Sequence, residues 1–185
     1  MLRSYVPSLA ALIVALTSFA SAAEAPIRAE PPVLVTSSGQ ALDAFTVKTL
    51  LERSNVPHVY DPLATADAVA DVGTVVIAVG ASVKGFGAAG ITAETELART
   101  RAILDAVAAA ERTLIVVHIG GSDRRDGLSM QFVELVGPAA DYLVVWREGN
   151  ADGFFTELAA ANDVPMTELG LPIEVGDVLQ ATLAD

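Results

Sequence analysis

TVVIAVG (Thr74–Gly80) and TLIVVHIGG (Thr113–Gly121) decide the fold. Each is a short continuous apolar run, rich in Val and Ile and closed by glycine, as strands read when both faces are buried. Residues 93–110 between them carry a helical pattern, too long for a hairpin and suited to a parallel crossover. Such a unit implies a parallel sheet covered by helices on both sides, with any ligand at the carboxyl ends of the strands.

The same unit repeats outward. VLVTSSGQ (Val33–Gln40) is a strand opening into a polar glycine turn, followed by a helix over 41–53 with Leu42, Phe45, Leu50 and Leu51 as its apolar stripe. Asn55 and Pro57 stop that helix. HVYDPLA (His58–Ala64) is a short strand, and residues 65–72 make two helical turns. Residues 81–91 hold three glycines and no apolar period, which predicts an irregular, mobile lid. Thr92 is a natural N-cap with Glu94 and Glu96 at the positive helix start, and Leu97, Thr100, Leu104 and Val107 form the inner face. After the charged turn SDRRDG (Ser122–Gly127) comes a helix carrying Leu128, Phe132, Leu135 and Val136. DYLVVW (Asp141–Trp146) is a fifth strand, and the turn REGNADG (Arg147–Gly153) leads to a helix over 154–162. An edge strand over 165–169 and a closing helix over 173–183 finish the chain.

This alternation predicts an α/β three-layer sandwich with a mostly parallel sheet of five to six strands. The expected order is flavodoxin-like, 2-1-3-4-5, with a Rossmann-like order as the alternative. In the first order the switch point falls between the opening strand and the Thr74 strand.

The amino terminus reads as a targeting segment. Arg3, the apolar core Leu9–Phe19 and Ala20-Ser21-Ala22 predict a signal peptide over residues 1–22, with the mature chain starting near Ala23. That core is too short to span a bilayer comfortably, so no stable membrane insertion is expected after cleavage. Residues 23–32 form a flexible, proline-closed leader, and residues 33–185 a single domain. The expected location is periplasmic or secreted. Without cysteine the chain has no disulfide, zinc–thiolate site, iron–sulfur cluster or cysteine nucleophile. Its 23 acids against 11 Lys and Arg argue against nucleic acid or an anionic membrane as partner. Nothing in the sequence names a protein partner.

Familiar motifs fail on their spacing. Gly85-Phe86-Gly87-Ala88-Ala89-Gly90 matches G-x-G-x-x-G, but it stands apart from the strand end at Gly80, and Asp105 falls inside a helix. Both departures argue against a dinucleotide fingerprint and favour a glycine loop at a ligand mouth. Gly80 and Gly85 have P-loop spacing, yet Phe86 stands where the lysine is needed. No nucleophile elbow, H-E-x-x-H or EF-hand loop occurs.

What remains is a set of strand-end residues. Thr36, Ser37, Ser38, Gly39 and Gln40 offer hydroxyls and N–H groups of the kind that hold phosphate or carboxylate. They resemble the loop with which flavodoxins hold the flavin phosphate, although Tyr60, Phe86 and Trp146 are the sole aromatic candidates for a ring sandwich. Capping by Ser38 and a tight turn at Gly39 explain the same residues. His118, followed by Gly120 and Gly121, ends a buried strand, as a core histidine or a pH-sensitive donor or base. Lys84, Arg124 and Arg125 are cations at adjacent strand ends, with Asp123 and Asp126 flanking the arginines. Asp61, Asp123, Glu148, Asn150 and Asp152 have no spacing that fixes a cation site, so no metal is assigned, and no cofactor is specified.

PPVLVTSSGQALDAFTVKTLLER, YDPLATA, VGASVKGFGAAGI, HIGGSDRRDG and VVWREGNADGFFTELA together resemble one bacterial family, domain-of-unknown-function family six-three-zero-five. The resemblance implies an exported α/β domain and transfers no catalytic residue. The expectation is a binding module for a small anionic ligand, of carboxylate or phosphate type. Thr36–Gln40 would supply donors, Lys84 a closing charge, and His118, Arg124 and Arg125 the opposite wall. The alternatives are a serine hydrolase using Ser37 or Ser38 with His118, and a flavin carrier.

Overall fold

Six strands, β1 (Val33–Ser38), β2 (His58–Tyr60), β3 (Thr74–Val79), β4 (Thr113–His118), β5 (Tyr142–Trp146) and β6 (Met166–Leu169), make one sheet ordered β2-β1-β3-β4-β5-β6. Every neighbouring pair is parallel. This computed structural model describes residues 26–125 and 127–183, so the proposed signal peptide and Asp126 lie outside the described residues. The order is the flavodoxin-like 2-1-3-4-5 with β6 added at the edge, and the chain reverses direction across the sheet between β1 and β3.

Strand alternation sends successive side chains to opposite layers. Leu34, Ile77, Val116 and Leu143 face one core, filled by Phe86 of α2 (Val83–Ala89), Ile103 and Val107 of α3 (Ala93–Ala109), Phe132 and Val136 of α4 (Gly127–Val136) and Phe155 of α5 (Phe154–Asn162). Val35, Val76, Ile115 and Val144 face the other, filled by Val47 and Leu51 of α1 (Asp43–Arg53) and Leu179 of α6 (Val175–Thr182). The two cores have no strand residue in common, so a one-residue register slip would exchange them wholesale.

Three expectations change. In α1 the buried face is Ala44, Val47, Leu50 and Leu51, while Leu42 and Phe45 are 78% and 53% exposed. Ala44 and Val47 take the inner positions beside Leu50 and Leu51, and the Phe45 ring instead meets Tyr60 edge-on. The described part of the leader is tied down. Ala29 N–H donates to the Thr182 carbonyl at 2.8 Å, Glu30 N–H donates to Thr74 Oγ1 at 2.9 Å, and that hydroxyl donates back to the Glu30 carbonyl.

The third change concerns residues 81–91, which are not an irregular lid. They contain α2, capped by Ser82 Oγ accepting from Gly85 N–H and closed by Gly90 in the left-handed region. Two turns holding two glycines are too short to show an apolar period. This helix is laced to the β1 loop. Ala41 N–H donates to the Gly80 carbonyl, Gly80 N–H to that of Ser38, Ser82 N–H to that of Gly39, and Gln40 and Ala81 form an isolated antiparallel bridge. Backbone from the two loops therefore fills the space between the ends of β1 and β3.

Gly85 permits this approach, because a Cβ there would stand inside the van der Waals shell of the Gln40 carbonyl oxygen, whereas one at Gly87 meets nothing within 4 Å. Both substitutions raise helix propensity, so the pair separates packing from propensity. Gly85→Ala is expected to destabilise by about 1–3 kcal/mol through overpacking, and Gly87→Ala to stabilise by up to about 1 kcal/mol. Urea denaturation of the two variants checks this.

Candidate functional site

The Thr36–Gln40 loop is engaged from within. Glu96 of α3 is fully buried, and its Oε1 accepts from Gly39 N–H at 3.0 Å and from Gln40 Nε2 at 2.9 Å. Arg99, one turn on, grips both carboxylate oxygens through Nε and Nη2 at 2.8 and 2.7 Å. The same guanidinium donates to the carbonyls of Ala64 and Ser37, and Gln40 also donates to the Pro62 carbonyl. A carboxylate of the chain itself thus takes the donors that would have met a phosphate.

The hydroxyls divide between the faces of the sheet. Ser38 Oγ bonds Thr100 Oγ1 of α3 at 3.2 Å rather than capping α1. Ser37 alternates with it and points toward the α1 layer, away from His118. Ser38 pairs with Val79 across to β3, and His118 lies one strand further, so neither serine forms a hydrogen-bonded pair with the imidazole. Thr36 Oγ1 and Ser37 Oγ are buried without a hydrogen-bond partner among the described residues.

Lys84 sits exposed in the first turn of α2. Arg124, also exposed, follows β4 in a short 3-10 turn and crowds Gly120, where a Cβ would meet Arg124 Cβ at 2.8 Å and His118 Cε1 at 3.4 Å. Its field reaches Asp43 at the start of α1. Burial raises the pKa of that carboxyl, and Arg124 partly offsets the effect.

Arg125 turns the other way. Its side chain is 7% exposed, stacks over Phe154 and Phe155 at 5.1 and 5.8 Å, and pairs through Nη2 with Asp152, 58% exposed, at 2.7 Å. His118 lies against the same Phe155 ring, 5.0 Å between centroids. Its Nδ1 is 3.1 Å from the Val79 carbonyl, which accepts only, so Nδ1 carries the proton and Nε2 the lone pair. His118 Nε2 and Arg125 Nε are both buried without a partner among the described residues. Burial, followed by the fields of Arg125 and Arg124 and opposed by the Val79 bond, lowers the imidazole pKa to about 4.

The acids scattered along the strand ends serve locally. Asp61 caps Leu63 N–H, and Asp152 Oδ1 accepts from Phe154 N–H. Asn150 Oδ1 holds the N–H groups of Phe155 and Thr156 while its Nδ2 donates to Thr156 and Glu168. Among the described residues no three His, Cys, Asp or Glu side chains form a metal-holding group. Among them, too, no helix is long and apolar enough to cross a membrane.

The sequence profile described as domain of unknown function DUF6305 matches residues 30–183. The chain belongs to this family. The DUF6305 match takes in every strand and helix from β1 to α6, so the family's domain is the whole sandwich. No curated protein and no solved structure matches the chain.

Sequence reasoning missed Glu96 and Phe155. The signal for Glu96 was present: the buried stripe of α3 is Glu96, Thr100, Ile103 and Val107, which keeps Thr100 and Val107 of the stripe chosen by hydropathy and puts Glu96 and Ile103 where it had Leu97 and Leu104. An acid on that stripe with an arginine three residues on is the pattern of a buried ion pair.

Two outcomes follow from this geometry. Glu96→Ala leaves Arg99 and the Gly39 N–H facing a gap, and is expected to cost about 3–5 kcal/mol in chemical denaturation. For His118 the folded pKa of about 4 lies below the ordinary 6.5, so between those values the unfolded chain takes up a proton that the folded one does not. Stability contributed by this residue is therefore full above pH 6.5 and falls as the solution is acidified toward pH 4, by about 3 kcal/mol in all. Unfolding free energies measured from pH 7 to 4 should show this loss, and His118→Leu should remove that part of the slope.

Proposed function

We propose that this domain binds a small anion, a carboxylate or phosphate, at the carboxyl ends of β4 and β5, in the periplasm or outside the cell where its leader would deliver it. Arg125 is the principal cation, Arg124 a second, and His118 with Phe155 the floor. The supporting observation is the state of Arg125. A nearly buried guanidinium, stacked on two rings, keeps one N–H unpaired among the described residues, and the acid it meets among them, Asp152, stands mostly in solvent. Native interiors leave few polar atoms unpaired, and each costs about 1–3 kcal/mol. His118, which packs on the same Phe155 ring, holds another such atom among the described residues.

In this reading the ligand's anionic group takes the place of the Asp152 carboxylate on Arg125, an exchange of like for like that requires no new buried charge. The Thr36–Gln40 loop stays outside the site because Glu96 already takes the Gly39 N–H and the Gln40 amide, which weakens the case for a flavin phosphate there. A serine hydrolase finds no serine hydrogen-bonded to His118.

Calorimetric titration with inorganic phosphate, acetate and propionate tests the proposal. Wild-type protein is expected to bind at least one of them. Asp152→Asn, which weakens the internal competitor, should tighten that binding severalfold. Arg125→Ala should weaken it about ten- to a hundredfold through loss of a charge-assisted bond worth about 1.5–3 kcal/mol. Binding that Arg125→Ala leaves unchanged would remove the site.

A further inference from the structure

Two unpaired atoms against one ring have opposite hydrogen-bonding character. His118 Nε2 is a lone pair and accepts only, because Nδ1 spends its proton on the Val79 carbonyl. Arg125 Nε–H donates only. Both are buried and without a partner among the described residues, and both groups pack on Phe155. The two distances to that ring, 5.0 and 5.8 Å, cap the separation of the imidazole centroid and the guanidinium carbon at their sum, 10.8 Å.

The turn over residues 147–150 roofs this place with Gly149. A Cβ there would stand 3.2 Å from His118 Nε2, 2.8 Å from its Cδ2 and 2.5 Å from the Gly120 carbonyl oxygen. A side chain at that position would collide with the imidazole and with that carbonyl, so glycine is what lets the turn pack directly on His118. The ion pair of Arg125 with Asp152 joins the β4 loop to the β5 loop beside it, so an anion that displaces Asp152 also frees the edge of this roof.

A simple carboxylate or a fully ionised phosphate carries acceptors alone. It would satisfy Arg125 and leave His118 Nε2 with nothing. An ammonium group would donate, but beside Arg124 and Arg125 it meets like charge. A neutral hydroxyl donates without that penalty.

We infer that the ligand is a small hydroxycarboxylate, its carboxylate on Arg125 in place of Asp152 and its hydroxyl donating to His118 Nε2, a conclusion that rests on the anion site proposed above. A hydroxyl on the carbon next to a carboxylate presents a donor and an acceptor on adjacent carbons, so one small ligand can offer a hydrogen bond of about 2.8 Å to each of the two groups on the Phe155 ring. Specificity then comes from His118 and affinity from the arginine. A site that hydrogen-bonds a hydroxyl discriminates against the analogue lacking it, since the buried acceptor is otherwise left unpaired.

Titration calorimetry at pH 7 with each enantiomer of lactate, against propionate, decides this on unaltered protein, because the pair differs by the hydroxyl alone. At least one lactate enantiomer is expected to bind about tenfold tighter than propionate. His118→Leu should bring that ratio to about one, and His118→Gln, which keeps an acceptor, should retain part of it. Equal affinity for lactate and propionate, with both weakened by Arg125→Ala, would overturn the hydroxyl assignment and leave the anion site standing. Binding of phosphate without either organic acid would do the same. Absence of binding by all the anions would overturn both.

Discussion

The Glu96 carboxylate is the constraint on which the upper edge of this sheet depends. It is buried, charge-paired to Arg99, and bonded to backbone and side chain of the β1 loop. Through Arg99 it also reaches the end of β1 and the connection after β2. A charge taken out of water is tolerable when its lone pairs are filled, and here four donor contacts fill them. One acid on α3 thereby fixes the loop after β1, and the loop fixes α2 through the Gln40–Ala81 bridge. The place where this class of fold opens for a ligand is closed by its own chain, and one strand further along, at the end of β4, an unpaired acceptor and an unpaired donor among the described residues share the Phe155 ring.

The fold was legible because burial on both faces leaves a plain mark. Val75–Val79 and Leu114–Val117 are unbroken apolar runs, and only strands of a covered parallel sheet require that. The connection between them has room for a helix and none of the signals of a hairpin. What sequence left unresolved was phase. Hydropathy placed Leu42 and Phe45 on the inner face of α1 with Leu50 and Leu51, whereas the helix keeps the two later leucines inside and turns Ala44 and Val47 inward in place of the first two. A helix of two turns with glycines inside, such as α2, carries too few apolar positions for any period to register.

For the candidate site, the sequence marks residues and leaves their arrangement unread. Strand-end glycines, His118 and the paired arginines stand out in a chain with few cations. Whether Arg124 or Arg125 turns inward depends on the Phe154–Phe155 surface that α5 presents, about 30 residues away in sequence and beyond any local pattern. Likewise Ser37 and Ser38 are neighbours in the sequence and on opposite sides of the sheet in space, because strand parity separates them. The proposal of an anion beside Arg125 draws on that three-dimensional information.

The bond from Ala29 to Thr182 has an architectural consequence. It brings the segment entering β1 against the last turn of α6, so the domain is entered and left at one point on the amino-terminal edge of the sheet. The strand-end loops of β4 and β5 lie at the other edge, separated by the length of a six-residue strand, roughly 20 Å. A fusion partner, surface tether or affinity tag joined at either end would therefore hang from the side remote from Arg125. The same closeness of ends makes the domain a candidate for circular permutation, with a short peptide joining the two segments and new termini cut elsewhere in an exposed loop.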